Sequence, residues 1–166
     1  VFWLRKRNLL KIKNKYEKME DRLGLGIIFH ITPSNMPTNF FYSYLFGLLS
    51  GNINIVRVTN KNFFQMNIIL NIMEEIFKIK KFEPIKNMSH FIRYNKEYNI
   101  TKSFSNICNA RIIWGGDNTI NEIRKITLPP KSREITFCDK YSCCILQSEK
   151  VNQINNIDLR KLISNF

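Results

Sequence analysis

Apolar positions along this chain fall into short unbroken runs that alternate with longer stretches in which they recur every three or four residues. Residues 24–32, Gly-Leu-Gly-Ile-Ile-Phe-His-Ile-Thr, form a β-rich run that ends at Pro33, as a strand buried on both faces of a parallel sheet should. From Thr38 the apolar positions Phe40, Phe41, Tyr44, Leu45, Leu48 and Leu49 take helical spacing, with Gly51 as the stop. Asn54–Thr59 reads as a second strand. Phe63–Lys80 reads as a long helix with Phe64, Ile68, Ile72, Ile76 and Ile79 along one stripe. The alternation continues with a strand over His90–Tyr94, a helix over Tyr98–Cys108 and a strand over Ala110–Trp114. A short helix over Thr119–Ile126 must end before Pro129-Pro130, and two strands follow, Glu134–Cys138 and Ser142–Leu146. Residues 82–89, with Pro84 and Lys86, read as a surface loop.

Strands alternating with helices at this spacing predict an α/β fold: a Rossmann-like open parallel sheet with helices on both faces and ligands at the carboxyl ends of the strands. Three segments are expected: a basic helix or arm over 1–23, the open-sheet domain over 24–146, and the start of a following helix over 147–166. The chain begins at Val1 and stops soon after a new helical pattern opens at Ile157, which is the expectation for a fragment.

Charge changes this picture little. Twenty-six Lys and Arg against 13 acidic residues give a net charge of +13, which raises nucleic acid or an anionic membrane as a partner. Ile, Asn and Lys dominate the chain evenly, as in a protein from an AT-rich genome, and no nucleic-acid-binding motif accompanies the charge. The dense stretch Arg5–Arg22 holds eight Lys and Arg facing Glu17, Glu20 and Asp21, and reads as a solvated helix or an anion-binding surface. Cys108, Cys138, Cys143 and Cys144 lack the spacing of a metal site or a disulfide framework, so reduced thiols in a cytoplasmic protein and no bound metal are expected. Val1-Phe2-Trp3-Leu4 is too short for a signal peptide, and no run reaches the roughly 18–20 apolar residues of a membrane helix.

The dinucleotide fingerprint G-x-G-x-x-G is missing, because Gly24-x-Gly26 precedes its strand instead of following it, and a P-loop is missing too. Four other segments stand in a telling order: His30-Ile-Thr-Pro-Ser-Asn-Met-Pro37, Gly51-Asn-Ile-Asn-Ile-Val-Arg57-Val, Ile113-Trp-Gly-Gly-Asp-Asn-Thr-Ile120 and Ile135-Thr-Phe-Cys-Asp-Lys-Tyr-Ser142. The first resembles the Pro-Trp-Asn-Phe-Pro turn of aldehyde dehydrogenases. The four together resemble the acyl-CoA reductase branch of that superfamily, the LuxC type known from bacterial bioluminescence.

That resemblance assigns roles. Asn35 takes the place of an amide that stabilises the oxyanion formed when a thiolate attacks a carbonyl; an Asx turn between two prolines explains it otherwise. Thr32, Pro33 and Ser34 line the cofactor. Arg57 stands where many relatives carry a Lys on the adenosine ribose or its 2′-phosphate, the alternative being a solvated charge at a strand end. Gly115-Gly116 would let a pyrophosphate approach backbone N–H groups at a helix whose Thr119-x-x-Glu122 resembles a capping box, or form a tight turn that needs glycine conformations. Lys140 follows the strand-turn near the nicotinamide, where Cys138 replaces the usual glycine. Thr136 occupies the place of the general-base Glu of ordinary aldehyde dehydrogenases, which suits an acyl thioester substrate. Cys143 and Cys144 lie in an apolar strand and read as buried hydrophobes, and His30 and His90 as structural.

The resemblance implies NADPH-dependent reduction of a fatty acyl-CoA, or another acyl thioester, to an aldehyde. The nucleophilic Cys would lie beyond this segment, leaving the chain alone inactive. A homo-oligomer, or a complex with an acyl-transferring enzyme, fits that chemistry; nucleic acid does not. Two rival readings stay open: a non-catalytic or degenerate nucleotide-binding module, and a basic nucleic-acid-binding protein.

Overall fold

The computed structural model describes residues 4–16, 22–95, 97–138 and 145–164. Five parallel strands form one sheet: β1 (Ile27–Ile31), β2 (Ile53–Arg57), β3 (Ser89–Ile92), β4 (Ala110–Trp114) and β5 (Arg133–Phe137). The helices α2 (Asn39–Leu49), α3 (Phe64–Phe77), α5 (Tyr98–Ile107) and α6 (Asp117–Arg124) fall between them, with a 3-10 turn at Lys80–Phe82 and the short α4 (Glu83–Asn87) before β3. The spatial order is β3-β2-β1-β4-β5. After β1 the chain builds outward through β2 and β3, then crosses to the other side of β1 for β4. The gap between the carboxyl ends of β1 and β4 is therefore the topological switch point, where open α/β sheets bind ligands.

Alternation along the strands separates two cores. Phe29 and Ile31 of β1, Ile55 of β2 and Ile113 of β4 turn to the α5/α6 face, where Phe104, Ile120 and Ile123 pack on them. His30 faces the other way, toward Ser43 of α2, and Val56 lies there among Phe40, Tyr44, Met66 and Met73 of α2 and α3. The central strands are buried on both faces because helices cover both. β5, at the sheet edge, leaves Ile135 and Phe137 almost half exposed.

Helix ends follow local chemistry. Gly51 at φ 76° closes α2, with its N–H donating to the Leu48 carbonyl and the Asn52 N–H to that of Gly47, a Schellman pair that aims the chain straight into β2. The basic segment forms α1 (Lys6–Lys15), none of whose residues is buried, and α7 (Ser148–Gln153) and α8 (Asn156–Ser164) follow the sheet.

Three sequence expectations need correcting. Residues 82–89 are not a loop: Pro84 sits in the first turn of α4, where its missing N–H is harmless, and Ser89 already belongs to β3. Thr119 does not cap α6, which starts two residues earlier with Gly116 at the N-cap; Glu122 instead pairs with Lys125. The stripe Phe64, Ile68, Ile72, Ile79 faces solvent, Phe64 being 76% and Ile72 53% exposed. Met66, Ile69, Leu70, Met73 and Phe77 of the same helix face the core. Spacing by four drifts around a helix of 3.6 residues per turn, whereas i, i+3, i+4, i+7, i+11 holds one face. The predicted strand Ser142–Leu146 lies mostly outside the described residues, and Ile145 and Leu146, which are described, are exposed and not in a strand.

Candidate functional site

The turn Thr32–Pro37 leaves β1 at the switch point and leads into α2, and across the gap Gly115-Gly116 leaves β4 and leads into α6. Arg57 ends β2 one strand away, paired in register with Ile31, which pairs in turn with Ile113. The sheet thus brings Thr32, Pro33, Ser34, Asn35, Arg57, Gly115 and Gly116 to one edge. Lys140, Cys143 and Cys144 lie outside the described residues.

Thr32 is buried, and both its hydroxyl (2.7 Å) and its N–H (3.4 Å) donate to the Arg57 carbonyl, tying the two strand ends together. Its hydroxyl donor is therefore spent on the scaffold. Ser34 and Asn35 are exposed, and among the described residues the Asn35 amide makes no hydrogen bond. An Asx turn is thus not what holds Asn35; its N–H₂ is open to a ligand.

Arg57 is not a solvated strand-end charge. It is half-buried, its guanidinium carbon lies 4.8 Å from the centroid of the Tyr94 ring, and its Nε is a buried donor without an acceptor. A buried N–H left unpaired carries a desolvation penalty of about 1–3 kcal/mol, which an anionic ligand would relieve.

The glycine pair does not serve a left-handed turn. Gly116 sits at φ −67°, and the glycines with positive φ are Gly26 and Gly51. Room explains Gly115: a Cβ there would lie 3.1 Å from the Thr119 side chain. No side chain caps α6, so its first N–H groups face the crevice without a side-chain acceptor, an arrangement suited to phosphate oxygens. Asp117 in the first turn opposes an anion and supports the helix dipole instead.

Beneath the crevice runs a buried polar chain with one direction. Trp114 Nε1 donates to Ser43 Oγ (3.2 Å), which donates to His30 Nδ1 (2.8 Å); His30 Nε2 donates to Asn54 Oδ1 (2.9 Å), whose amide donates to the Asn52 carbonyl (2.7 Å). Since Asn54 Oδ1 can only accept, His30 is held as the Nε2–H tautomer. Burial lowers its pKa to about 4, against the opposing pull of the Asn54 hydrogen bond. It is a structural residue, and so neutral. Trp114 in turn stacks on Phe137 at 4.0 Å, forming an aromatic floor beside the crevice.

Of the cysteines, Cys108 is buried, donates to the Ser105 carbonyl, and has its thiol pKa pushed up by burial, the reverse of an activated nucleophile. Cys138 is exposed just past β5. Among the described residues no group of His, Cys, Asp or Glu is arranged to hold a metal. A cavity of about 770 Å³, lined by Asn67, Glu74, Lys86, His90 and Arg93, opens between α3, α4 and β3. It lies on the β3 flank of the sheet, apart from the crevice between β1 and β4.

The sequence matches the acyl-CoA reductase (LuxC) family over residues 4–165, nearly the whole chain. The chain belongs to that family. No curated protein and no solved structure gives a match. A LuxC-family chain is thus built on a five-stranded parallel sheet, with its ordered motifs converging on one edge. Among the described residues no helix is long and apolar enough to cross a membrane.

Two features of this LuxC-family site escape motif reading. Tyr94 closes the predicted strand His90–Tyr94 but lies two residues past β3, and it reaches Arg57 only through the strand order. The chain through His30, Ser43 and Asn54 joins three elements by alternation and register, which sequence spacing does not encode.

Proposed function

We propose that the switch-point crevice binds NADPH and belongs to an enzyme that reduces a fatty acyl-CoA, or another acyl thioester, to an aldehyde. The observation that carries this reading is Arg57: a half-buried guanidinium with an orphaned Nε, fixed on the same carboxyl edge of the sheet as the uncapped N-terminus of α6. That donor set fits a phosphorylated dinucleotide.

In this reading Arg57 takes the 2′-phosphate of the adenosine, and the α6 N–H groups donate to the pyrophosphate where Gly115 leaves room for it. The open amide of Asn35 donates to the oxygen that gains charge as a thiolate adds to the thioester carbonyl. The bound cofactor supplies hydride. Lys140 completes the nicotinamide side, and the family resemblance puts the nucleophile at a cysteine outside these 166 residues; Cys108, buried with its thiol pKa pushed up, is unsuited to the part. The enzyme works in the cytoplasm, as a homo-oligomer or beside an enzyme that hands it acyl groups.

The test is to add NADPH and a long-chain acyl-CoA to this chain. NADPH fluorescence should report saturable binding with no cofactor consumption. Steady consumption would place the nucleophile within the chain, with exposed Cys138 the first to replace by Ser; absence of binding would remove the cofactor role.

A further inference from the structure

Arg57 is braced at both ends. Its carbonyl accepts from the Thr32 hydroxyl and N–H, fixing the end of β2 to that of β1. Its guanidinium lies over the Tyr94 ring at 4.8 Å, and that ring is itself locked. Tyr94 is 9% exposed, and its hydroxyl, 3.1 Å from Thr101 Oγ1, donates there, because the Thr101 hydroxyl spends its own hydrogen on the Glu97 carbonyl (3.0 Å) in the first turn of α5. Phe104 of α5 packs on the ring from 6.4 Å.

A ring face attracts a guanidinium without accepting its in-plane N–H groups. Arg57 is accordingly held in place while, among the described residues, it donates no side-chain hydrogen bond, and its buried Nε stays unpaired. A carboxylate at Tyr94's position would have held the cation equally well but would have consumed the fork.

We propose that Tyr94 is a positioning residue for cofactor choice: its ring holds the Arg57 fork in place and unspent, so that the site discriminates a 2′-phosphorylated dinucleotide from its unphosphorylated counterpart. This rests on the reading of Arg57 as the phosphate-binding residue. The ring comes from the loop after β3 and touches the phosphate only through Arg57, so the discrimination is set by a residue outside every recognised motif.

Dissociation constants for NADPH and NADH, measured by fluorescence on the whole chain, separate the possibilities. Tyr94→Phe, which keeps the ring, should leave both constants within about twofold. Tyr94→Leu should weaken NADPH about tenfold and leave NADH unchanged. Arg57→Lys, which keeps the charge but lacks the planar fork, should likewise lose most of the preference, and this change at the end of β2 tests the idea even if Tyr94→Leu fails to fold. Equal weakening of both cofactors by Tyr94→Leu, or full preference retained in Arg57→Lys, would overturn the positioning role. If Arg57→Ala leaves both constants unchanged, the reading of Arg57 itself fails, and the role of Tyr94 with it.

Discussion

His30 shows how a single buried ring ties stability to pH. In the folded chain its pKa is lowered from 6.5 to about 4, so the unfolded chain binds the extra proton first as pH falls. The stabilisation is complete above about pH 6.5, is lost progressively as pH drops toward about 4, and amounts to roughly 3 kcal/mol over that window. Urea unfolding of His30→Gln, against the parent chain across this range, should show a flatter dependence on pH; parallel curves would contradict it. Gly47 makes a second residue-scale case. A Cβ there would collide with Asn54 Oδ1 and come within 3.1 Å of the His30 ring, so Gly47→Ala should destabilise the chain by about 2 kcal/mol despite alanine's better helix propensity. Thermal melts of the two chains check it. Neither effect can be read from the sequence, where Gly47 looks like a weak point in a helix and His30 like an interruption of an apolar strand.

At the scale of elements, β4 and β5 are joined beneath α5 and α6 by a buried ionic cluster. Arg111, 2% exposed, donates to Glu134 Oε2 at 2.6 Å, to Ser105 Oγ at 3.1 Å and to the Ile126 carbonyl at 3.0 Å, while Arg124 takes Glu134 Oε1 at 2.7 Å. Burial raises the Glu134 pKa, but the hydrogen bonds from Arg124 and Arg111 outweigh it and the net shift is downward. Its contribution is therefore present above the ordinary carboxylate range and fades as pH falls through it. Glu134→Leu would strand the Arg111 charge, and chemical denaturation should register a loss of about 3 kcal/mol. Strands and helices themselves were largely legible: β4 falls where its apolar run lies, and the other strands within a few residues. What failed was facing. The α3 stripe at spacing four was visible and the core stripe was not singled out, because both sides of that helix are apolar and only the sheet decides between them. Substituting Ile72 by Gln should change stability by less than about 0.5 kcal/mol, whereas Met73→Ala, in the core, should cost about 2–3 kcal/mol.

For the whole molecule, strand order does what motif order alone could not: it places Thr32, Arg57 and Gly115 on neighbouring strand ends although 83 positions separate the first from the last. The motifs were readable as residues. Their convergence was not, because the crossover from β3 to β4 is a property of topology. A net charge of +13 adds a competing explanation for any affinity toward an anion, since a diffuse cationic surface attracts polyanions in a way that salt removes. The most direct test of the account is therefore a fluorescence titration of the chain with NADPH at low and at physiological salt, with an unrelated polyanion as competitor. One saturable site should persist at the higher salt and be displaced by adenosine 2′,5′-bisphosphate but not by the polyanion. No saturation at either salt, or binding that the polyanion shares and salt abolishes, would contradict it.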